Sequence, residues 1–347
     1  MRKVSAMALI LAFTLVFWIA KPALATESTG IGPDTFLEVF NFIKDNHISN
    51  PDPNLLYRGA IEGIIDTLDD PYTEYMPPED YEEFTFSLDS TYVGVGIEVQ
   101  PGEDYPRVLN AIENTPAQKS GIKPGDLVIK VDGAEMYREP LDNVVQKIRG
   151  PEGTTVKLTI RRGDLEDFDL DLVRSSINTP TVYGETLEGG IGYLWVGTFG
   201  ANTANEFRDS LNDLTREGAT KLILDLRDNP GGYLQAAVQM AGNFVDPGGL
   251  VVSTVDRSGE RIEYRTEESP VFKGRDVAVL VDGYSASAAE ILAGALQDHG
   301  VATLVGGQTF GKGTVQAVVP LNSGGALKIT STRYHTPKDR IIDGKGL

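Results

Sequence analysis

The chain has 347 residues, a formal net charge of −19, 41% hydrophobic and 23% charged residues, and no cysteine. Such an acidic surface repels nucleic acid, and the absence of cysteine excludes disulfides and thiolate metal sites. The length predicts two or three domains with a sizeable core.

The N-terminus has the pattern of an export signal. Arg2 and Lys3 precede an uncharged apolar run of 17 residues, Val4 to Ala20, and Ala23 and Ala25 supply a small-residue cleavage pattern. Residues 1–25 are therefore predicted to be a signal peptide. Because the run is at the lower limit of what spans a bilayer, an uncleaved membrane anchor is the alternative. Either way the rest of the chain is exported.

Residues 26–87 are predicted to form an N-terminal helical region. Apolar residues repeat at helical spacing from Phe36 to Ile43 and again from Leu55 to Leu68, and the proline-bearing segment 76–81 is predicted to close the region. Two helices cannot bury both apolar stripes by themselves. They must pack on the body of the protein or on a second copy in a homodimer.

Residues 88–177 change to the period of β-strands, with runs at 93–99, 107–111, 126–131 and 155–160 and one helix at 140–148. The order of glycine-rich segment, turns, helix and last strand resembles a PDZ domain of the bacterial type. The resemblance implies that the amides of Gly94, Val95, Gly96 and Ile97 hold the C-terminal carboxylate of a peptide, which is added as a strand at a sheet edge. The alternative is that these glycines only shape a turn.

Residues 178–347 alternate between buried strands and helices, which predicts an α/β layer. The strands are at 191–196, 222–226, 277–281 and 301–305, and the helices at 202–215, 233–244 and 287–298. Residues 251–275 and 314–335 are predicted to add β-hairpins. The whole chain is therefore an α+β multidomain protein.

Ser287 stands where a strand ends and a helix begins. Its Ser-Ala-Ala-Glu290 context fits a capping box, in which serine only satisfies free amides. The same position offers a free N–H and the positive end of a helix dipole to a developing oxyanion. Ser285 is the weaker candidate because it is farther from the helix. His299 is about 18 Å along one straight helix from Ser287, too far to act as its base.

Lys312 lies in a glycine-rich turn after the last buried strand. A lysine has a reference pKa of about 10.4, so a base here requires an apolar pocket; the alternative is a surface lysine. Residues 306–312 also fit the start of a phosphate-binding loop. Gly313 disfavours that interpretation, because serine or threonine should follow the lysine, and no helix-forming run follows.

A third segment runs from Asp225 to Tyr233 and contains Asn229, Pro230 and two glycines. Strand, tight turn and helix follow each other there. The segment is either a simple glycine turn or one half of an oxyanion hole.

Together, segments 225–232, 284–298 and 309–316 resemble those of the carboxy-terminal processing (tail-specific) serine proteases, and the likeness includes Leu68 to Tyr72 and the PDZ domain. It implies a ClpP/crotonase-like α/β protease core. The roles that it implies for residues of this chain are nucleophile for Ser287, general base for Lys312, orientation of the lysine for Gln316, support for Asp298, and oxyanion hole for Gly231 or Gly232 with the amide of Ala288.

Two departures from the family pattern stand out. Ala289 replaces a frequent third serine, and the chain stops at Leu347, where relatives usually continue, which predicts a C-terminally shortened protease core. The expected function is an exported serine endopeptidase that cuts proteins near apolar C-terminal tails, without metal or cofactor. The opposing hypothesis is a PDZ adaptor that binds tails without cutting them. A periplasm, the outer face of a Gram-positive membrane and a thylakoid lumen all fit the export signal.

Overall fold

The computed structural model describes residues 31–89 and 91–347. The predicted signal or anchor, residues 1–25, lies outside the described residues. Described residues up to Ile64 belong to one compact unit, and residues 65–347 form a second. Within the described part of the chain, no helix is long and apolar enough to cross a membrane.

Both predicted apolar stripes of the N-terminal region form helices, α1 (Pro33–Asn46) and α2 (Pro53–Asp66). Proline at the start of α1, an acid in its first turn and Lys44 in its last turn suit the helix termini. The rings of Phe40 and Tyr57 stack 4.3 Å apart and join the two helices. Large apolar side chains nevertheless remain exposed, among them Phe36, Leu37, Val39, Phe42, Leu55 and Ile64.

The prediction that segment 76–81 closes the helical region is wrong. A short strand, β1 (Glu74–Met76), precedes a further helix, α3 (Pro78–Asp89). Proline at the first helical position lacks only an N–H that has no partner inside the helix, and Glu79 and Asp80 complement the helix dipole. The proline therefore starts a helix here.

A β-rich region follows, with a core of its own. Its elements are β2 (Thr91–Gly94), β3 (Ile97–Gln100), β4 (Arg107–Ala111), α4 (Pro116–Lys119), β5 (Leu127–Val131), β6 (Ala134–Glu135), α5 (Leu141–Ile148), β7 (Thr155–Arg161), β8 (Phe168–Val173) and β9 (Ser175–Asn178). Strands β3, β4, β5, β7 and β8 form one sheet in that order, while β2 and β9 pair in a separate ribbon. The predicted single run 93–99 is divided because Gly96 has φ +81° and lies against Thr115.

The α/β core contains a five-stranded sheet in the order β10 (Val182–Leu187), β11 (Ile191–Val196), β12 (Lys221–Asp225), β15 (Asp276–Val281) and β16 (Thr303–Gly306). Strands β11, β12, β15 and β16 are parallel, and β10 is an antiparallel addition. Three helices connect and cover them, α6 (Thr203–Arg216), α7 (Leu234–Ala241) and α8 (Ala288–Asp298).

A second sheet of the core contains the two predicted hairpins. They are β13 (Leu250–Asp256) with β14 (Arg261–Arg265), and β17 (Thr314–Pro320) with β18 (Ala326–His335). Strand β18 pairs with β1, so that Lys328 lies opposite Glu74. The segment before α3 is thereby built into the core.

The predicted fold class, a helical region, a β-rich domain and an α/β core, is confirmed. The β-rich region and the α/β core have separate clusters of buried apolar residues. The predicted limits at 87/88 and 177/178 fall inside α3 and β9, respectively.

Candidate active site

Three loops meet at one edge of the parallel sheet. They follow β12, β15 and β16, which are hydrogen-bonded neighbours in that order. Because the carboxyl ends of neighbouring parallel strands lie side by side, their loops are neighbours too. The three segments singled out in the sequence, 225–232, 284–298 and 309–316, therefore come together in space.

Ser287 is held in a constrained backbone conformation at the start of α8. Its φ and ψ are 56° and −116°, a positive φ that is uncommon outside glycine. The usual N-cap conformation is extended. Gly231 approaches so closely that a Cβ there would lie 2.8 Å from the Ser287 Cβ and 2.9 Å from the Ala288 nitrogen. The serine is half-buried between this glycine turn and the helix.

The amides around Ser287 differ in whether they already have an acceptor. Gly231 N–H donates to Asn229 Oδ1 at 2.9 Å, and Asn229 is itself buried and anchored to the Val196 carbonyl. Within residues 31–89 and 91–347, no acceptor is found for the N–H groups of Gly232 and Ala288. Those two amides are available to a ligand.

Gly232 is required by packing as well as by backbone conformation. Its φ is +139°, and a Cβ would lie 2.3 Å from the Phe199 carbonyl oxygen. Strand-like bonding between Phe199 and the glycine turn fixes this approach. The turn is therefore a rigid wall of the site.

Lys312 lies in the loop between β16 and β17, with its side chain partly buried. Its ammonium lies 4.8 Å from the centre of the Tyr72 ring. Burial, and next the nearby positive charge of Lys328, lower the pKa of Lys312, while Asp70 and Glu290 oppose the shift. This environment meets the expectation that a lysine base needs a desolvated pocket.

A cavity of about 580 Å³ brings the predicted site residues together. Ser287, Ala288, Gly231, Gly232, Lys312 and Gln316 all line it. Within residues 31–89 and 91–347, no hydrogen bond joins Ser287 Oγ to Lys312 Nζ, whose ammonium faces Tyr72. In the described residues, the serine and the lysine thus line one cavity without a hydrogen bond between their side chains.

The sequence pattern predicted only a helix-capping role for Glu290, whereas the structure gives it a wider one. Its fully buried carboxylate accepts hydrogen bonds from the amides of Ser287, Gly311 and Lys312 and from the hydroxyl of Thr309. Burial raises its pKa, and the four donors act in the opposite direction. The capping-box pattern predicted the hydrogen bond between Glu290 and Ser287. The bonds to Gly311 and Lys312 could not be predicted from the sequence, because they depend on the tertiary structure.

Gln316 and Asp298, for which the family resemblance implies supporting roles, have different surroundings. The Gln316 side-chain amide donates to the hydroxyls of Thr314 and Thr330, at 3.0 and 3.3 Å. Asp298 lies at the far end of α8, about 15 Å along the helix from its first residue, and pairs with Arg340 at 2.6 Å. The cavity therefore includes Gln316 but not Asp298.

The structure separates Ser287 from the other candidates. Ser285 is fully buried and donates to the Leu226 carbonyl at 2.7 Å, which is a structural role. His299 ends α8 as predicted, and its ring bonds the Leu250 carbonyl at 2.7 Å. A strand, β17, follows Lys312, whereas a phosphate-binding loop leads into a helix.

Residues from distant parts of the chain complete the cavity. Lys328 on β18 and Phe84, Ser87 and Leu88 on α3 line it, and none of them was singled out in the sequence. Tyr72 belongs to the Leu68 to Tyr72 segment, which carried part of the family resemblance without a role. That segment was the only sequence signal for this side of the site.

A second cavity of about 250 Å³ lies in the β-rich region between β3 and α5. Val95, Gly96 and Ile97 line it, with Val99, Val145, Ile148, Arg149 and Phe86. Gly94 ends β2 beside it. Strand β3 is at the edge of its sheet, so this groove lies beside an open strand.

Comparison with known proteins agrees with this geometry. Residues 190–347 match the profile of peptidase family S41, residues 107–162 that of the PDZ domain, and residues 26–80 that of the N-terminal domain of the activating protease CtpB. The chain thus contains a peptidase S41 domain and a PDZ domain.

Among curated relatives of the chain is a probable CtpA-like serine protease of Staphylococcus epidermidis, 35% identical over 311 residues. The match covers 89% of this chain and 63% of that relative. A protein of the same name from Staphylococcus aureus is 35% identical over 310 residues, covering 89% and 62%. The chain thus spans somewhat less than two thirds of the length of these relatives.

Solved structures include a photosystem II D1 C-terminal processing protease, with a TM-score of 0.52 and 28% identity, covering 90% of this chain and 85% of that one. A putative S41 protease from Bacteroides fragilis has a TM-score of 0.50 at 15% identity, covering 94% and 84%. The second likeness concerns the fold alone.

Proposed function

We propose that this protein is a serine endopeptidase in which Ser287 is the nucleophile and Lys312 the general base. The observation that carries the proposal is a cavity lined by the serine, the lysine and two residues whose amides find no acceptor among the residues that the structure describes. Burial lowers the pKa of Lys312, which favours the neutral amine that a base must be.

The reaction follows from these positions. Neutral Lys312 Nζ takes the proton of Ser287 Oγ, which attacks the scissile carbonyl carbon and forms a tetrahedral oxyanion. The amides of Gly232 and Ala288 donate to that oxyanion, since the Gly231 amide is already bonded to Asn229. The lysine then protonates the leaving amine, and water hydrolyses the acyl-enzyme by the same proton transfers. The hydrogen bond between Ser287 Oγ and Lys312 Nζ that this transfer needs would form on substrate binding, as in other sites that tighten on their substrates.

The groove between β3 and α5 is proposed to bind the C-terminal tail of the substrate. A tail added as a strand along β3 would place its carboxylate at the Gly94 to Ile97 amides and an apolar side chain against Val99, Val145 and Ile148. Helix α3 contributes Phe86 to this groove and Phe84 and Leu88 to the catalytic cavity. A bound tail would therefore lie one helix away from the nucleophile.

Export and self-association complete the proposal. Residues 1–25 would direct the chain across a membrane as a cleaved signal or remain as an anchor, to a periplasm, an outer membrane face or a thylakoid lumen. The exposed apolar side chains of α1 and α2 would support a homodimer.

The catalytic part is tested by Ser287→Ala and Lys312→Ala in a cleavage assay with a protein that has an apolar C-terminal tail. Both variants are expected to lose cleavage while still binding the tail peptide. Cleavage by Lys312→Ala at the wild-type rate would refute the Ser/Lys mechanism. Tail binding without cleavage by the wild-type protein would support the opposing function, a PDZ adaptor.

The recognition part is tested by Val145→Asp, which puts a charge into the apolar groove. Tail-peptide affinity is expected to fall about tenfold or more, because an unpaired carboxylate replaces apolar contact. Gln146→Asp is the matched control, since it adds the same charge at an exposed position of the same helix. Equal affinity of the two variants would place tail binding elsewhere.

A further inference from the structure

The ammonium of Lys312 faces an aromatic ring contributed by a segment far away in the sequence. Lys312 Nζ lies 4.8 Å from the centre of the Tyr72 ring, within the range in which a cation is attracted to a ring face. Tyr72 is half-buried, so water competes only partly with that attraction.

The turn that presents Tyr72 is fixed by its own hydrogen bonds. Asp70 accepts the Tyr72 N–H at 3.0 Å and the Thr73 hydroxyl at 2.6 Å. The Thr73 hydroxyl in turn accepts the Thr330 N–H at 3.1 Å, which joins the turn to β18. The ring therefore has a defined position in the core.

The charges around Lys312 do not provide a direct partner for the ammonium. Within the described residues, the ammonium has no ion pair, although Asp70 and Glu290 attract it from a distance and Lys328 repels it. The charged and titratable groups that face the lysine or the ring are Asp70, Glu74, Glu290, Lys328 and Asp343. Glu74 is already paired with Lys328.

We propose that Tyr72 is the positioning residue of Lys312: its ring face binds the ammonium and holds the side chain in the catalytic cavity. The ring acts through the lysine and is not itself a catalytic residue. This inference rests on the proposed role of Lys312 as base. It gives a role to the Leu68 to Tyr72 segment that the catalytic reaction alone leaves unexplained.

The direction of a pKa change separates this role from simple packing. If the ring binds the ammonium, its removal destabilises the protonated form, and the pKa of Lys312 falls further. If the ring only excludes water, its removal hydrates the lysine, and the pKa rises toward its ordinary value. The two roles thus predict opposite shifts.

The test is an NMR titration of ¹³C-lysine-labelled full chain carrying Ser287→Ala, with the Lys312 Cε signal assigned by its loss in Lys312→Ala. Adding Tyr72→Leu is expected to lower the Lys312 midpoint by about 0.5 to 1 pH unit. Tyr72→Phe is expected to leave it unchanged, because the ring is retained. Tyr75→Leu, which removes a nearby aromatic ring on β1, is the control and should also leave it unchanged.

An unchanged or raised midpoint in Tyr72→Leu overturns the proposal, and so does an equal shift in Tyr72→Phe. If Tyr72→Leu does not fold, the labelled Ser287→Ala chain with Tyr72 intact provides the test. The ring should shift the Lys312 Hε proton resonances upfield, and ordinary chemical shifts for these protons would overturn the proposal. In the active background, Tyr72→Leu should move the acid limb of kcat/KM to lower pH and reduce kcat at the plateau. The titration does not depend on catalysis, so failure of the Ser/Lys mechanism would appear separately, as cleavage that survives Lys312→Ala.

Discussion

The backbone N–H groups of Ser287 and Lys312 donate to the same carboxylate oxygen, Oε2 of Glu290, at 2.9 and 3.0 Å. The start of α8 and the loop after β16 are therefore tied together beneath the cavity. Because the second oxygen accepts from Thr309 and Gly311, a single buried side chain sets the backbone positions of the proposed nucleophile and base.

Glu290→Gln tests this relationship. An amide NH₂ cannot accept, so two of the four donors lose their acceptor in either orientation. We expect a loss of about 3 kcal/mol in the free energy of unfolding and a fall of about 100-fold in kcat from misplacement of the loops, measured by denaturant titration and cleavage assay. Glu206→Gln is the matched control, because Glu206 accepts bonds from Asn178 and Thr181 away from the cavity. It should lose stability and keep its kcat; equal kcat in both variants would contradict the role of Glu290.

The two serines of the Ser-Ala-Ser segment should have opposite phenotypes. Ser285→Ala removes a buried donor to the Leu226 carbonyl and should lower the free energy of unfolding by about 1–3 kcal/mol, with cleavage retained below the melting temperature. Ser287→Ala should melt close to the wild type and lose cleavage. Melting curves and single-turnover cleavage on the same samples check both, and the reverse pattern would reassign the nucleophile.

Gly231→Ala should impair both stability and catalysis. Gly231 has φ +99°, and a Cβ would meet the Ala286 carbonyl oxygen and the Ser287 Cβ at 2.8 Å. Gly218 has a similar φ of +96° with no atom within 4 Å of the added Cβ. Gly218→Ala therefore measures the cost of the backbone conformation alone, about 1–2 kcal/mol. Gly231→Ala should lose more stability than Gly218→Ala and should also show a fall in kcat that Gly218→Ala does not show. These two differences measure the effect of the close approach to Ser287.

Lys312 should make stability depend on pH in a defined direction. Its pKa in the folded protein is lowered from 10.5 by burial and then by Lys328. Between the folded and unfolded pKa values the unfolded chain binds more protons, so the free energy of unfolding rises with pH in that window. Lys312→Met lacks this contribution, and its stability relative to the wild type should decline as pH rises there. Denaturant titrations over this pH range measure the difference in free energy of unfolding between variant and wild type. For the control Gln316→Met this difference should not change with pH. If it does not change for Lys312→Met either, the pKa of Lys312 is not lowered in the folded protein.

The helical and strand segments were largely predictable because apolar periodicity is a local property of the chain. The runs at 191–196 and 277–281 and the helix after Ser287 appear in the structure within a residue or two. Segment 76–81 was misinterpreted because proline both ends helices and begins them. Strands β8 to β10 were missed because their charged and polar residues weaken the apolar pattern.

The sequence by itself determined the types of elements, the junction position of Ser287, the glycine turns and the exclusion of His299, since each depends on near neighbours along the chain. Only the tertiary structure decided that Gly231 N–H is already bonded, that Glu290 joins the serine and lysine loops, and that Tyr72 faces Lys312. These relationships depend on strand order in two sheets, which brings together residues that no local pattern connects.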